Sequence, residues 1–273
     1  MTKTYAVIGD PIDHSLSPAI HNAAFGFLRL DCTYIAYRIP KGELVQGVEG
    51  LKKIQIAGFN VTIPHKIDMM SLLNEADENC KTIGATNTIV NENGFLKGYN
   101  TDMDGFLDPI KKRNIECKDC NILLIGAGGA ARAIVVGFSK MKVRKITIAN
   151  RTRERADELI KFANNLGLES DYTDLANAGN IADKYKFIVN ATSAGLKGSA
   201  SPISTRAITK DSIVYDIVYM PVETELIDQS KKQGATIIYG WEMLLGQAMR
   251  SFEIWAKLPA PYEAMKLTLL GRF

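Results

Sequence analysis

The chain has 273 residues, and its 33 basic and 30 acidic side chains leave a formal net charge of only +3. This length predicts two compact domains rather than one hydrophobic core. So small a charge gives no basis for binding nucleic acid or a membrane surface. Because no apolar run reaches the length of a membrane span and no signal-peptide core follows Met1, we expect a cytoplasmic protein.

Strand and helix patterns alternate along almost the whole chain, which predicts an α/β fold with largely parallel sheets. A helix is predicted over 18–29, with Ser17 as its N-cap and Pro18 at its first position. Strands are predicted over residues 4–9, 33–38, 56–62, 87–91, 121–125, 145–149, 187–190, 213–217 and 236–239.

Polar side chains follow the strand predicted over 56–62. Asn60 and Thr62 share one face by alternation, and Pro64 ends the strand just before Lys66. Such a position lets a side chain enter a cleft. A lysine taken alone is equally explained as an ordinary exposed residue.

Asp102 stands at a predicted loop-to-helix junction. It is a candidate catalytic carboxylate, although an acidic residue in a first helical turn also complements the helix dipole. Thr101 with Asp104 resembles a capping box, which is a structural explanation of the same segment. Ser17 is likewise explained by capping, whereas Ser15 is not.

A charged connector over 111–119 marks the first domain boundary. Cys117 within it and Cys120 just after it form a single C-x-x-C pair, and the three histidines lie far away at 14, 21 and 65. No metal site is therefore expected. The second boundary stays open, because the two helices predicted over 241–273 fit either domain.

The stretch from Ile122 to Ala131 predicts a dinucleotide loop. An apolar strand runs directly into Gly126-Ala127-Gly128-Gly129-Ala130-Ala131, and a helix of small and aliphatic residues follows. Gly126 permits the tight turn and Gly128 lets the backbone approach a pyrophosphate, while the helix N-terminus supplies free N–H groups.

The next strand indicates which dinucleotide binds. It ends at Asn150-Arg151-Thr152, where a loop that binds NAD would carry Asp or Glu. Arginines at 151, 153 and 155 instead offer charged donors to a 2′-phosphate. We predict NADP as the cofactor, with Arg151 as its main 2′-phosphate ligand. Arg153 and Arg155 are also explained as a solvated helix face.

Motifs along essentially the whole chain resemble those of shikimate dehydrogenases. Each motif is weak alone, but their order is specific. They are Gly9-Asp10-Pro11 with His14 to Pro18, His21-Asn22, Asn60 to Pro64 with Lys66, Gly84 to Thr88, Asn100-Thr101-Asp102, Gly126 to Ala131, Asn150-Arg151-Thr152, Asn190-Ala191-Thr192, Tyr215-Asp216 with Tyr219, and Met243-Leu244 with Gln247.

The resemblance implies a discontinuous α/β substrate domain, formed by 1–103 and 240–273, and a doubly wound Rossmann-type domain over 104–239. Lys66 and Asp102 would form the catalytic pair. Ser15, Ser17 and Tyr219 would bind the substrate carboxylate, while Thr62, Asn87 and Gln247 would hold ring hydroxyls. The predicted cofactor contacts are Gly126, Gly128, Gly129, Ala130, Asn150, Arg151, Thr152, Arg155 and Gly240.

The implied reaction is hydride transfer between NADP and C3 of 3-dehydroshikimate or shikimate, with Lys66 moving the proton. The substrate is thus a small molecule, and monomer and homodimer both stay open. One alternative is a quinate/shikimate dehydrogenase that also accepts NAD. Another is a catalytically idle NADP-binding regulator on the same scaffold, which loss of Lys66 or Asp102 would have favoured.

Overall fold

A computed structural model describes residues 2–273, with the backbone alone for Lys197. The chain forms two compact units. The first unit comprises Met1–Gly105 and Leu245–Arg272, and the second comprises Phe106–Leu244 together with Phe273. The first unit therefore takes residues from both ends of the chain, whereas the second is almost continuous.

Each unit contains one six-stranded sheet. In the first unit the strand order is β2-β1-β3-β5-β6-β4, and in the second it is β12-β11-β10-β7-β8-β9. The strands are β1 (Lys3–Gly9), β2 (Cys32–Arg38), β3 (Gly58–Val61), β4 (Glu75–Ala76), β5 (Thr88–Glu92), β6 (Phe95–Tyr99), β7 (Asn121–Ile125), β8 (Lys145–Ala149), β9 (Glu169–Thr173), β10 (Phe187–Asn190), β11 (Ile213–Asp216) and β12 (Thr236–Tyr239).

The described residues form ten α-helices, and none of them is both long and apolar enough to span a bilayer. They are α1 (Ser17–Phe27), α2 (Leu44–Lys53), α3 (Glu78–Ile83), α4 (Asp102–Lys112), α5 (Gly129–Lys140), α6 (Arg153–Asn165), α7 (Leu175–Asn180), α8 (Glu225–Lys232), α9 (Gly240–Ala256) and α10 (Tyr262–Leu270).

The predicted α/β class is confirmed, but the prediction of largely parallel pairing holds only in part. All strand pairs of the second unit are parallel. In the first unit β5 pairs antiparallel with both β3 and β6. The hairpin between β5 and β6 turns at Asn93 and Gly94, which have φ of 55° and 93°. Positive φ at both positions suits an Asn-Gly pair, so the sequence carried a hairpin signal that the strand prediction missed.

The start of α1 also corrects a prediction. Leu16 is the N-cap, no side chain caps the helix, and Ser17 is its first residue rather than its cap. Capping therefore does not account for the serine at this position.

The second-unit sheet has the doubly wound strand order. Residues Ile122 to Ile125 are fully buried, as expected for a central parallel strand covered on both faces. The order reverses between β7 and β10, and ligands of such sheets bind beyond the carboxyl ends of the strands at that point.

Helix α9, the second-last helix of the chain, contributes to the core of the first unit. The ring of Trp255 packs against Tyr5 with ring centroids 5.0 Å apart, and its Nε1 donates to the carbonyl of Ile89 at 2.9 Å. Gly58 lies beside this contact, since a Cβ there would meet Trp255 Nε1 at 2.6 Å. The first unit thus depends on the end of the chain for its packing.

Candidate active site

Lys66 and Asp102 form a largely buried ion pair in the first unit. Lys66 Nζ donates to Asp102 Oδ2 at 2.5 Å, and the two side chains are 17% and 7% exposed. Lys66 follows the loop that leaves β3, and its carbonyl accepts from the backbone N–H of Thr86 at 2.9 Å. Asp102 is the first residue of α4, where the helix dipole favours a carboxylate.

Asn87 donates a hydrogen bond to the second oxygen of this carboxylate. Its Nδ2 donates to Asp102 Oδ1 at 2.8 Å and to Thr101 Oγ1 at 2.9 Å. The backbone N–H of Thr101 donates to Asn87 Oδ1 at 2.8 Å, which fixes which side of the amide faces Asp102. Both oxygens of Asp102 therefore have donors, as a buried charge requires.

The other predicted substrate ligands lie at several places. Ser15 and Ser17 are neighbours, and the N–H of Ser17 donates to Ser15 Oγ at 3.4 Å. Thr62 follows β3 and Gln247 lies in α9, both half-buried in the first unit. Tyr219 lies in the second unit, where burial raises the pKa of its phenol.

Buried polar residues that the sequence analysis did not select surround Asn87. Asn60 and Thr88 lie on β3 and β5, Thr101 precedes α4, and Ser251 lies in α9. The alternation along β3 had placed Asn60 on a face with Thr62, which was a usable signal. A serine in a C-terminal helix gives no such signal, because its partners are remote in sequence.

His21 lies beside this network on α1. It is fully buried, and its ring stacks on Tyr34 with centroids 4.5 Å apart and planes inclined by 8°. Tyr34 in turn donates from its hydroxyl to Asn60 Oδ1 at 2.6 Å. Neither ring nitrogen of His21 has a hydrogen-bond partner among residues 2–273. Burial lowers the pKa of His21 to about 3, so the ring is neutral in the folded protein.

The second unit contains the predicted dinucleotide loop between β7 and α5. Gly126 has φ of 108°, and a Cβ there would meet Thr192 Cγ2 at 2.8 Å. Gly128 is the exposed N-cap of α5 and has no side-chain cap, and a Cβ there would have nothing within 4 Å. A side chain at Gly128 would therefore project into the open space before the helix N-terminus. Gly129 and Ala130, the first helical residues, keep this end small, so the loop fits a pyrophosphate.

The three arginines that follow β8 differ in their contacts. Arg153 Nε donates to Asp157 Oδ1 at 2.8 Å, and its guanidinium lies 4.1 Å from the centroid of the Tyr172 ring. Arg151 and Arg155 are exposed and form no ion pair within the part of the chain that is described. Asn150 Nδ2 donates to the carbonyl of Thr152 at 2.8 Å and so shapes the turn. This leaves Arg151 and Arg155 free to meet an anion.

Two further residues shape the second unit. A Cβ at Gly240 would lie 2.4 Å from the carbonyl oxygen of Val218, so close packing alone requires glycine there. Asp216, which was not predicted as a site residue, is fully buried and accepts from Asn190 Nδ2, Val218 N and Thr224 Oγ1 at 2.9, 3.0 and 2.7 Å. Burial raises its pKa, although these donors oppose the effect. It connects the loops that follow β10 and β11.

The C-x-x-C pair shows no chemistry of its own. Cys117 is buried and Cys120 half-buried, both are free thiols, and burial raises the pKa of Cys117 to about 12. In the described residues no three potential metal ligands lie close together.

Known families and structures match this chain over most of its length. Models of the shikimate dehydrogenase substrate binding domain, of shikimate/quinate 5-dehydrogenase and of the shikimate 5′-dehydrogenase C-terminal domain match residues 7–89, 109–215 and 240–270. The NADP(+) shikimate dehydrogenase of Nitrosopumilus maritimus is 62% identical over 273 residues, which are 100% of both chains.

Two crystal structures illustrate the range of relatives. Shikimate 5-dehydrogenase of Thermus thermophilus, in complex with NADP(H) and shikimate, is 31% identical with a TM-score of 0.89, and the match covers 99% of this chain and 100% of that one. Quinate dehydrogenase of Corynebacterium glutamicum, in complex with NAD, is 28% identical with a TM-score of 0.91, and the match covers 99% of each chain.

The free energy of unfolding should decrease in mild acid because of His21. The unfolded chain protonates this histidine near its ordinary pKa of 6.5, whereas the folded state does so only at about 3. Since the unfolded state binds more protons in this window, the free energy of unfolding should drop by about 2 kcal/mol from pH 7 to pH 5 through this group. In His21→Phe this part of the pH dependence should be lost.

The measurement is urea unfolding of wild type, His21→Phe and the control His14→Gln at both pH values. His14 is exposed, so its replacement should leave the pH dependence as it is. An equally steep loss of stability in His21→Phe would contradict the assignment.

Proposed function

Since the chain belongs to the shikimate dehydrogenase family, we propose that the buried Lys66–Asp102 pair is the catalytic centre of its reaction. The reaction is the reversible, NADP-dependent reduction of 3-dehydroshikimate to shikimate in aromatic amino-acid biosynthesis. The observation that carries the proposal is the contact of Lys66 Nζ with Asp102 Oδ2, two groups that are 36 positions apart in sequence.

The loop between β7 and α5 would hold the dinucleotide, which would supply the hydride to C3 of the ring as NADPH and take it up as NADP⁺. In the direction of reduction, Lys66 supplies a proton to the C3 oxygen as that oxygen gains negative charge, and its positive charge stabilises the oxygen. In oxidation the same amine accepts the hydroxyl proton. Asp102 orients Lys66 and the reacting hydroxyl, while Asn87 holds Asp102 in place.

The remaining substrate contacts are proposed from residue type and burial. Ser15 and Ser17 bind the carboxylate with Tyr219 as a further donor, and the absence of a capping role for Ser17 supports this assignment. Thr62 and Gln247 hold ring hydroxyls, and Asn87 joins them by sharing the amide hydrogen that it donates to Asp102 Oδ1. Such groups discriminate strongly, because an analogue lacking a hydroxyl would leave a buried partner unpaired.

The cofactor contacts are proposed along the carboxyl edge of the second-unit sheet. Gly126, Gly128, Gly129 and Ala130 bind the pyrophosphate at the N-terminus of α5. Asn150, Arg151, Thr152 and Arg155 surround the 2′-phosphate, and Gly240 remains part of the proposal. We assign substrate binding to 1–103 with 240–273 and NADP binding to 104–239. The division into units at Gly105 and Leu245 supports these bounds.

The purified protein should oxidise NADPH with 3-dehydroshikimate, followed by absorbance, and reduce NADP⁺ with shikimate. We expect kcat/KM for shikimate with NADP⁺ to exceed that for quinate or for NAD⁺ by about tenfold or more. Comparable rates with both acids and both cofactors would favour a quinate/shikimate dehydrogenase. No turnover with any pair would favour an NADP-binding regulator.

Lys66→Ala should lower kcat by about 10²–10⁴-fold, because the proton donor is lost, with modest change in the KM for shikimate. Steady-state kinetics checks this, with Lys97→Ala as the matched control. Lys97 pairs with Glu75 at 2.6 Å in the same unit, but both side chains are well exposed. Near-normal turnover of Lys66→Ala would remove its assigned role.

Arg151→Ala should raise the KM for NADP⁺ by roughly ten- to a hundredfold, the value of one charge-assisted hydrogen bond, and leave the KM for NAD⁺ little changed. Arg144→Ala is the control. Arg144 immediately precedes β8, so it lies at the other end of this strand from Arg151. Its Nε donates to Asn121 Oδ1 at the start of the neighbouring β7. Equal effects on the two cofactors would argue against a 2′-phosphate contact.

A further inference from the structure

A buried polar cluster lies next to Asn87 and joins four segments of the first unit. We define this cluster as Asn60, Thr88, Thr101 and Ser251, which are 6%, 0%, 1% and 0% exposed. Ser251 comes from α9 and lies 2.8 Å from Thr88 Oγ1 and 3.1 Å from Thr101 Oγ1, although 163 and 150 positions separate it from them in sequence. The end of the chain thus supplies a hydroxyl to the surroundings of the catalytic pair.

The direction of the hydrogen bonds can be assigned across the cluster. Ser251 Oγ donates to the carbonyl of Gln247 at 2.9 Å, so it accepts from its other neighbours. Asn60 Nδ2 donates to Thr88 Oγ1 at 2.9 Å. The single hydrogen of Thr88 Oγ1 is then shared between Asn87 Oδ1 at 3.0 Å and Ser251 Oγ at 2.8 Å, and Thr101 Oγ1 can donate to Ser251.

These bonds act on the amide of Asn87. Its oxygen accepts from the backbone of Thr101 and from Thr88, at 2.8 and 3.0 Å. Both of its amide hydrogens are used, by Asp102 Oδ1 at 2.8 Å and by Thr101 Oγ1 at 2.9 Å. Rotation of the amide would place its nitrogen against two donors, and its oxygen against the Asp102 carboxylate.

We infer that Ser251 and Thr88 are positioning residues for hydride transfer: they hold the Asn87 amide in the orientation that donates to Asp102, and so fix Lys66. This inference rests on the catalytic pair proposed above. Neither residue touches that pair directly, so both act through Asn87. Loss of either hydroxyl leaves buried donors or acceptors unpaired, and the cluster then gains by rearranging around Asn87.

The test compares variants that differ only in the hydroxyl. Thr88→Val removes it at nearly constant volume, whereas Thr88→Ser keeps it and loses a methyl group. Ser251→Ala is matched with Ser230→Ala in α8, a buried serine whose hydroxyl has no partner among the described residues. Thr88→Val and Ser251→Ala should lower kcat by about tenfold, with the KM for shikimate within about twofold of wild type.

Thr88→Ser should recover most of the turnover, and Ser230→Ala should match wild type. Rates are normalised to sites that bind shikimate by calorimetry, because shikimate binding is assigned to the unit that carries these substitutions, so a loss of folded protein does not lower kcat. Wild-type kcat in both Thr88→Val and Ser251→Ala would overturn the inference. An equal loss in Thr88→Ser, or an effect confined to KM, would also overturn it. If wild type itself has no activity, the proposed function has failed instead.

Discussion

The first unit depends on satisfying one buried pair of charges. Removing an ammonium and a carboxylate from water costs several kcal/mol for each ion, and their attraction offsets this only when the remaining hydrogen-bonding groups are also paired. Asp102 meets this demand with Lys66 on one oxygen and Asn87 on the other. The Asn87 amide must in turn have its own oxygen and second hydrogen paired, and the polar cluster provides these hydrogen bonds. Specific rotamers of several buried residues are therefore required at once.

The second unit solves a different problem, because its ligand brings the charge. The loop between β7 and α5 offers small residues and backbone N–H groups, and the segment after β8 offers the exposed Arg151 and Arg155. None of these groups needs a partner inside the protein. Asp216 stabilises this edge of the sheet, because it accepts hydrogen bonds from the end of β10 and from the turn after β11. A loop suited to a large anionic cofactor can thus be left open, whereas a buried ion pair must be closely packed.

Much of this arrangement was predictable from local patterns. The strands β7, β8, β10 and β12 have the predicted bounds, because a buried parallel strand is a short apolar run with polar ends. The short β4 and the polar edge strand β9 have no such pattern, and the antiparallel β6 was signalled only by its Asn-Gly turn. Position alone marked Lys66 and Asp102 as candidates, since one follows a strand and the other begins a helix, but only the family resemblance joined them as a predicted pair. Ser251 was not, because its role depends on pairing between residues 150 or more positions apart.

The discontinuity of the first unit has a consequence for the order of events on the ribosome. The second unit has nearly all its residues once Leu244 has been synthesised, whereas the first still lacks Ser251 and Trp255. The sheet of the first unit is translated earliest. The Ile89 carbonyl and the Thr88 hydroxyl nevertheless lack their partners until Trp255 and Ser251 of α9 have been synthesised. A nascent chain therefore has the residues of the second unit before it can complete the surroundings of the Lys66–Asp102 pair.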